Sequence, residues 1–361
     1  MSIILKGNNI SSNNNGIGPS EVTNIKASQN ASSIILSWTN PSNVVINGTT
    51  LSTFDHVIVV KNASQVPSSV KDGTVIYNGK STTCADSNVT KNTKYYYRFF
   101  VYDTNKLCNN NINMIIESTF YGIDMVLKNN TWSQIAEASE SGIASSLWKI
   151  GDEIDIELSE QPYISAETVT LQIWDFNHFD KSDGSGKAGI VFGAKNLTTR
   201  YMSMTSSSHN YYGWNNSFMK NYVMTNMLNA VPEELRNVIK EVNTYANRGS
   251  YSNSESEGTL STDKIFLPGA SELIGDDKVS STWSIHKTES NQKQFPIFTD
   301  DNSRMKKVPN KTYYESRDYE YWTRSAFCND NVSYCYIVQS GACGFQDGHN
   351  NVHGLCFCFN V

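Results

Sequence analysis

The run Thr93–Asp103, reading TKYYYRFFVYD, constrains the fold more than any other stretch of the chain. Tyr95, Tyr97, Phe99 and Val101 alternate with Tyr96, Arg98, Phe100 and Tyr102. A period of two puts each set on its own face of an extended strand, a state that aromatic and β-branched side chains favour. Such a strand has to bury an apolar face against a second layer. Shorter signals of the same kind surround it. In SIILSWTNP, Ile34, Leu36 and Trp38 share a face and Pro41 ends the run. Residues 54–60 form another strand, and Asp72-Gly73 marks a turn before Val75, Ile76 and Tyr77. About seven strands in about a hundred residues, one of them carrying a Trp, predict an all-β sandwich over 21–119.

The 361-residue chain as a whole is polar without being charged. Charged residues make up 18 %, below the ~25 % usual for globular chains. Asn, Ser and Thr supply the difference. A net charge of −6 argues against a nucleic-acid partner. No apolar run approaches ~18 residues, which argues against a membrane partner. Aromatic residues at 11 % give enough core material to argue against disorder. Seven Cys without a CxxC pair read as buried thiols, with no support for a zinc ribbon. Ile3-Ile4-Leu5 is too short for a signal-peptide core, so the expectation is a chain folded in the cytoplasm and not exported by that route.

Residues 1–20 read as a flexible N-terminal anchoring arm, and 120–130 as a linker. From 131 to 361 the pattern is α+β. A helix over 131–139 is capped by Asn130 and ended by Gly142. Strands follow at Ile154, Ile156 and Leu158, at Val169, Leu171 and Ile173, and at Ile190-Val191-Phe192. A helix covers 218–228. A second starts with Pro232 at its first position and carries Leu235, Val238, Ile239 and Val242 as its stripe. Residues 249–262 and 280–318 read as long polar loops around the buried strand Ile265-Phe266. Strands at 335–339 and 355–361 close the chain. The last has two apolar faces, which predicts a central strand.

Three clusters are candidates for chemistry. Asp175, His178, Asp180 and Asp183 sit close in WDFNHFDKSDGSG, but the EF-hand order is not met, and a structural polar turn is the expected reading. His349 and His353 lie in GHNNVHG, among Gly and Asn that oppose a zincin helix. No catalytic, metal or cofactor motif stands out. The segment AFCNDNVSYCYIVQSGACGFQDGHNNVH (326–353) interleaves aromatic rings with amides. That mixture recognises neutral polar ligands, with rigid rings for area and amides for hydrogen bonds. The candidate ligand-binding residues are Asn329, Asn331, Tyr334, Tyr336, Phe345, Gln346, Asp347, His349 and Asn350.

Trp38, the block DGTVIYNG (72–79), Asp86 and TKYYYRFFVYD together resemble a fibronectin type III domain of the bacterial and phage variety, with Tyr95 at its tyrosine corner. The second part resembles an uncharacterised domain of Gram-positive bacteria and their phages. TWSQIAEASESG (131–142), KIGDEIDIEL (149–158), LQIWDFNHFDKSDGSGKAGIVFG (171–193), YYGWNNSFMKNYV (211–223), PEELRNVIKEV (232–242), DKIFLPGASELIG (263–275) and YWTRS (321–325) carry this likeness. That family is similar to the C-type-lectin fold in its branch with formylglycine-generating enzymes and phage receptor-binding proteins. The ending Gly354-Leu355-Cys356-Phe357-Cys358-Phe359 departs from its usual Gly-Val-Arg-Pro-Ala-Phe. The resemblances imply a multidomain fold, a fibronectin type III sandwich followed by an α+β C-type-lectin-like domain. They imply a non-enzymatic, tail-associated virion protein in many copies or a homo-oligomer. Its partners would be other virion proteins, through the N-terminal region, and a host cell-surface glycan or protein. The alternatives are a head or tail decoration protein and a formylglycine-generating-type enzyme using Cys356 and Cys358.

Overall fold

The computed structural model describes residues 16–207, 209–210, 213–247, 259–275, 292–309, 311, 318–327 and 330–361. It is a β-rich, multi-sheet chain in two compact units, divided between Val126 and Leu127. Among the described residues no helix is long and apolar enough to cross a membrane.

The first unit holds β1 (Thr23–Gln29), β2 (Ile34–Thr39), β3 (Val44–Ile46), β4 (Thr49–Ser52), β5 (Phe54–Asn62), β6 (Thr74–Gly79), β7 (Thr83–Asp86), β8 (Thr93–Asp103), β9 (Cys108–Asn109) and β10 (Ile115–Phe120). One sheet runs β1-β2-β7 and another β10-β8-β5-β6, with β9 also on β8. Ile34, Leu36 and Trp38 from the first sheet meet Val57, Val59, Tyr95, Tyr97, Phe99 and Val101 from the second in one core. Trp38 packs edge-on against Tyr77 and Phe99, with ring centroids 5.3 and 5.2 Å away. The Tyr95 hydroxyl accepts a hydrogen bond from the Thr90 amide at 2.8 Å. The opposite face of β8 is covered too. Arg98 is buried and donates to the carbonyls of Pro67 and Ser68. β3 and β4 form a hairpin at Asn47-Gly48, where both residues have positive φ, the geometry of a two-residue turn that matches strand twist.

The unit is longer at both ends than the sequence pattern indicates. Pro19 is buried and its carbonyl accepts from Asn109 Nδ2 at 2.9 Å. Residues 1–15 of the expected arm lie outside the described residues. Phe120 enters the core, and the Tyr121 amide donates to Gln29 Oε1 at 2.8 Å. Residues 120–126 thus belong to this unit, and not to a linker.

The second unit opens with α1 (Trp132–Glu140) and α2 (Ala144–Leu147). The cap of α1 is Thr131, not Asn130, because Gln134 at the third helical position completes a reciprocal capping box with it. β11 (Glu153–Leu158), β12 (Glu167–Phe176), β13 (Ile190–Ala194) and β14 (Tyr201–Met202) follow. A π-turn over Met219–Met224 leads into α3 (Thr225–Ala230). α4 (Glu233–Arg236) is a single turn with Pro232 as its cap, and Val242 already starts a strand, so the expected long helix is absent. Its apolar spacing instead serves Leu235 and Ile239 in the turn and Val242 in β15 (Val242–Ala246). β15 pairs with β16 (Thr259–Asp263), which replaces the end of the expected 249–262 loop. β17 (Ile265–Phe266), α5 (Ala270–Ile274), α6 (Asp301–Arg304), β18 (Tyr321–Ala326), β19 (Ser333–Ile337), β20 (Cys343–Asp347), β21 (His353–Gly354) and β22 (Cys358–Asn360) complete it.

One sheet runs β11-β12-β13-β22-β17 and the other β14-β21-β18-β19-β20. β22 is an interior strand, buried on both faces. Phe359 stacks on Phe192, and Trp132 of α1 packs edge-on against both rings. Gly193 is required where it stands, since a Cβ there would lie 2.1 Å from the Trp174 indole.

Candidate functional site

β19 lies between β18 and β20 in its sheet, and all five of its residues are buried, so neither of its faces reaches solvent. This corrects two of the expected contact residues. Tyr334 is 1 % exposed and its hydroxyl donates to the Gly213 carbonyl at 3.0 Å. Tyr336 is 8 % exposed and stacks on His353, with centroids 4.5 Å apart and planes at 4°. Gln346 turns inward, and its Oε1 accepts from His353 Nε2 at 2.8 Å. Burial pushes the His353 imidazole down to about 4. Asp347 organises a turn: its carboxylate accepts from the amides of His349 and Asn350 at 2.8 and 3.1 Å. Burial alone would raise Asp347, and those bonds outweigh it and hold the carboxyl below the usual range. Asn331 is half-buried, and Asn329 lies outside the described residues. Phe345, His349 and Asn350 are exposed. Phe345 is 45 % exposed and lies flat on Phe327 at 4.1 Å. The exposed part of the expected face is thus smaller, confined to β20 and the turn after it.

A second concavity has a better-formed wall. A bulge between Ile173 and Asp175 breaks the alternation of β12, so Trp174 and Asp175 are both buried. Asp175 Oδ2 is 2.8 Å from His178 Nδ1, and both side chains are nearly buried. A neutral His178 donates Nδ1–H to that carboxylate, which leaves Nε2 as an acceptor. The ring is held between Phe179 and Phe295, centroids at 4.4 and 4.5 Å. The chain then loops out and returns along β15, where the Asn243 amide donates to the Asp180 carbonyl at 2.8 Å. Asp180 pairs with Lys187 at 3.0 Å, and Asp183 closes its own turn on the Ser185 amide. Among the described residues no three His, Cys, Asp or Glu side chains converge as a metal site. Asn243 and Tyr245, two apart on β15, share one face. Together with Asn177, Gln292 and Lys293 these groups line a cavity of about 400 Å³.

Buried charge fixes this wall from behind. Arg324 on β18 forms a two-pronged pair with Glu272 on α5, neither side chain having any exposed surface. The same guanidinium donates to the Tyr245 carbonyl at 3.2 and 3.1 Å and to Gln292 Oε1 at 3.3 Å. One ion pair therefore positions two cavity residues. The sequence pattern misses Asn243, Tyr245, Gln292 and Lys293. The alternation in VNTYA could have marked the first two, had the preceding apolar spacing not read as helix. Nothing local marks the other two, because their placement depends on Arg324, 32 residues away from Gln292.

Cys356 and Cys358 are fully buried, with weak bonds to the carbonyls of Ala194 and Phe266. Burial pushes the Cys356 thiol up to about 11 and Cys358 further in the same direction. Both are held as thiols, the unreactive form.

Residues 193–360 match the family model of a domain of unknown function, DUF6273. The match begins inside β13, so it includes Asn243, Tyr245, Gln292 and Lys293 but not the Asp175–Lys187 side of the cavity. No curated protein matches the chain.

Proposed function

We propose that the chain is a bacteriophage virion protein, tail-associated, whose second unit contacts the host surface while the first acts as a stalk. In this reading the first unit is a fibronectin type III-like sandwich and the second a C-type-lectin-like domain. The Trp38 core and the Tyr95–Thr90 bond support the former, since a hydroxyl bonded back to the backbone is the tyrosine-corner device. The observation that carries the binding role is the division of polar groups in the second unit. Asp175, Glu272, His178, His353 and the thiols of Cys335, Cys356 and Cys358 are held in buried contacts, while Phe345, His349 and Asn350 stay exposed on β20 and the turn after it. The Asp175 carboxylate, 2.8 Å from His178 Nδ1, orients that ring. Rigid elements presenting neutral polar contacts, repeated over many copies, give avidity without strong single sites.

The test is attachment of the full chain, multimerised on beads, to Gram-positive cells. Saturable attachment that weakens with Phe345→Ser together with Asn350→Ala is expected. Absence of saturable attachment to any strain tested overturns the reading. Particles assembled without 127–361 that lose integrity but still adsorb would support the decoration-protein alternative instead.

A further inference from the structure

The cavity beside Asp175 and His178 is separate from β20 and its turn, and its chemistry names a ligand. We infer that it is a binding site for a neutral saccharide. The host-contact reading gives that site a role, but the chemistry of the cavity does not depend on it.

Charge is accounted for first. Asp175 is hydrogen-bonded to His178 at 2.8 Å and Asp180 pairs with Lys187 at 3.0 Å, so each lining carboxylate already has a partner within the chain. A strongly charged ligand would have to break a pair or meet a like charge. Apart from Lys293, the hydrogen-bonding groups that remain are uncharged. Among the described residues the amides of Asn177 and Asn243 and the hydroxyl of Tyr245 have no hydrogen-bond partner, and Gln292 uses its oxygen on Arg324 and keeps its NH2. Each Asn offers donor and acceptor together, as does a phenol. Vicinal hydroxyls of a sugar do the same, so the two sets can satisfy one another pairwise. The half-buried Tyr245 ring adds a flat apolar surface suited to the C–H face of a pyranose.

The site is also built before any ligand arrives. Arg324 holds the Tyr245 backbone and the Gln292 side chain, and Phe179 and Phe295 hold His178. Groups fixed in this way lose little freedom on binding. The volume of about 400 Å³ falls in the ~300–1,000 Å³ span of small-molecule sites.

The experiment titrates the full chain with glucose, galactose, mannose, rhamnose, N-acetylglucosamine, N-acetylgalactosamine and glucuronic acid, read by saturation-transfer NMR and calorimetry. Saturable binding of at least one neutral sugar is expected. The Asn243→Ala/Tyr245→Phe double variant should weaken it about tenfold with an unchanged unfolding curve. Both substitutions remove partnerless groups, so folding is not at stake. No binding by any sugar, or binding that ignores the double variant, overturns the inference. Glucuronic acid binding tighter than every neutral sugar overturns its neutrality. Cell attachment that survives the double variant in the absence of sugar binding defeats this inference and leaves the host-contact reading intact. Sugar binding without attachment does the reverse.

Discussion

Both units bury an ion pair, and they use it differently. In the first, Lys61 of β5 reaches Asp86 of β7 at 2.8 Å, and Tyr97 of β8 donates to the same carboxylate at 2.9 Å. The pair joins two sheets across a core that is otherwise apolar. In the second, Arg324 and Glu272 are buried behind the cavity, and the spare donors of Arg324 hold Tyr245 and Gln292. A buried pair contributes little net stability by itself, because desolvation offsets most of the attraction. What it supplies is geometry. In one unit that geometry is the spacing of two sheets; in the other it is the wall of a site.

The largest effect that would break this comparison comes from removing the cations. Arg324→Ala leaves Glu272 buried and unpaired, which should cost about 3–5 kcal/mol. Lys61→Ala leaves Asp86 with the Tyr97 hydroxyl and the Asn88 amide, so its cost should be nearer 2 kcal/mol. Urea unfolding of the full chain should show two transitions, each variant moving one of them. Equal losses, or a single shared transition, would show that the pairs do the same job.

This contrast also explains what could be read from the sequence. The core of the first unit follows from alternation in β2 and β8, because a period of two needs no distant information. The second unit was legible where strands are long, as in β11 and β12, and at β22, whose two apolar faces put it inside a sheet. It was not legible where a turn of helix gives way to a strand at Val242, since Leu235, Ile239 and Val242 fit a helical stripe equally well. Nor could 326–353 reveal that β19 would be covered on both faces. That depends on residues distant in sequence, with Gly213 over the Tyr334 hydroxyl and His353 stacked on Tyr336, and it removes both tyrosines from the surface. The cavity was hidden for the same reason: its sides come from segments far apart in sequence, β15 being joined to Asp180 by the Asn243 amide and to Gln292 through Arg324.

A smaller effect distinguishes buried histidine from buried ion pair within the second unit. His353 is 4 % exposed, against Tyr336 and Trp322, with its imidazole pushed down to about 4 by burial. A folded-state pKa below the unfolded value of ~6.5 means that the unfolded chain binds the proton more readily. Its contribution is therefore complete above pH ~6.5 and is lost as the pH falls towards ~4, about 3 kcal/mol over that window. Glu320, whose Oε2 lies 3.4 Å from His353 Nδ1, is raised by burial and acts in the opposite sense. His353→Gln should flatten the acid limb of the second unit's unfolding midpoint, and Glu320→Gln should steepen it. An unchanged profile in His353→Gln would show that this ring does not couple folding to pH.

The smallest effect concerns salt. If the ion pairs around the cavity are scaffold, a neutral sugar gains nothing from their field. Raising salt from ~0.01 M to ~1 M shortens the screening length from ~30 Å to ~3 Å, which suppresses exposed charge interactions and leaves buried ones largely intact. Sugar affinity should then shift by less than about twofold across that range. Lys293 is the lining cation without an ion-pair partner among the described residues, so Lys293→Gln should not change this flat response. A tenfold fall with salt, abolished by Lys293→Gln, would mean that the ligand carries a negative charge and that the second unit recruits by charge after all. Calorimetric titrations at both salt limits, with the wild-type chain and the single variant, decide between these outcomes.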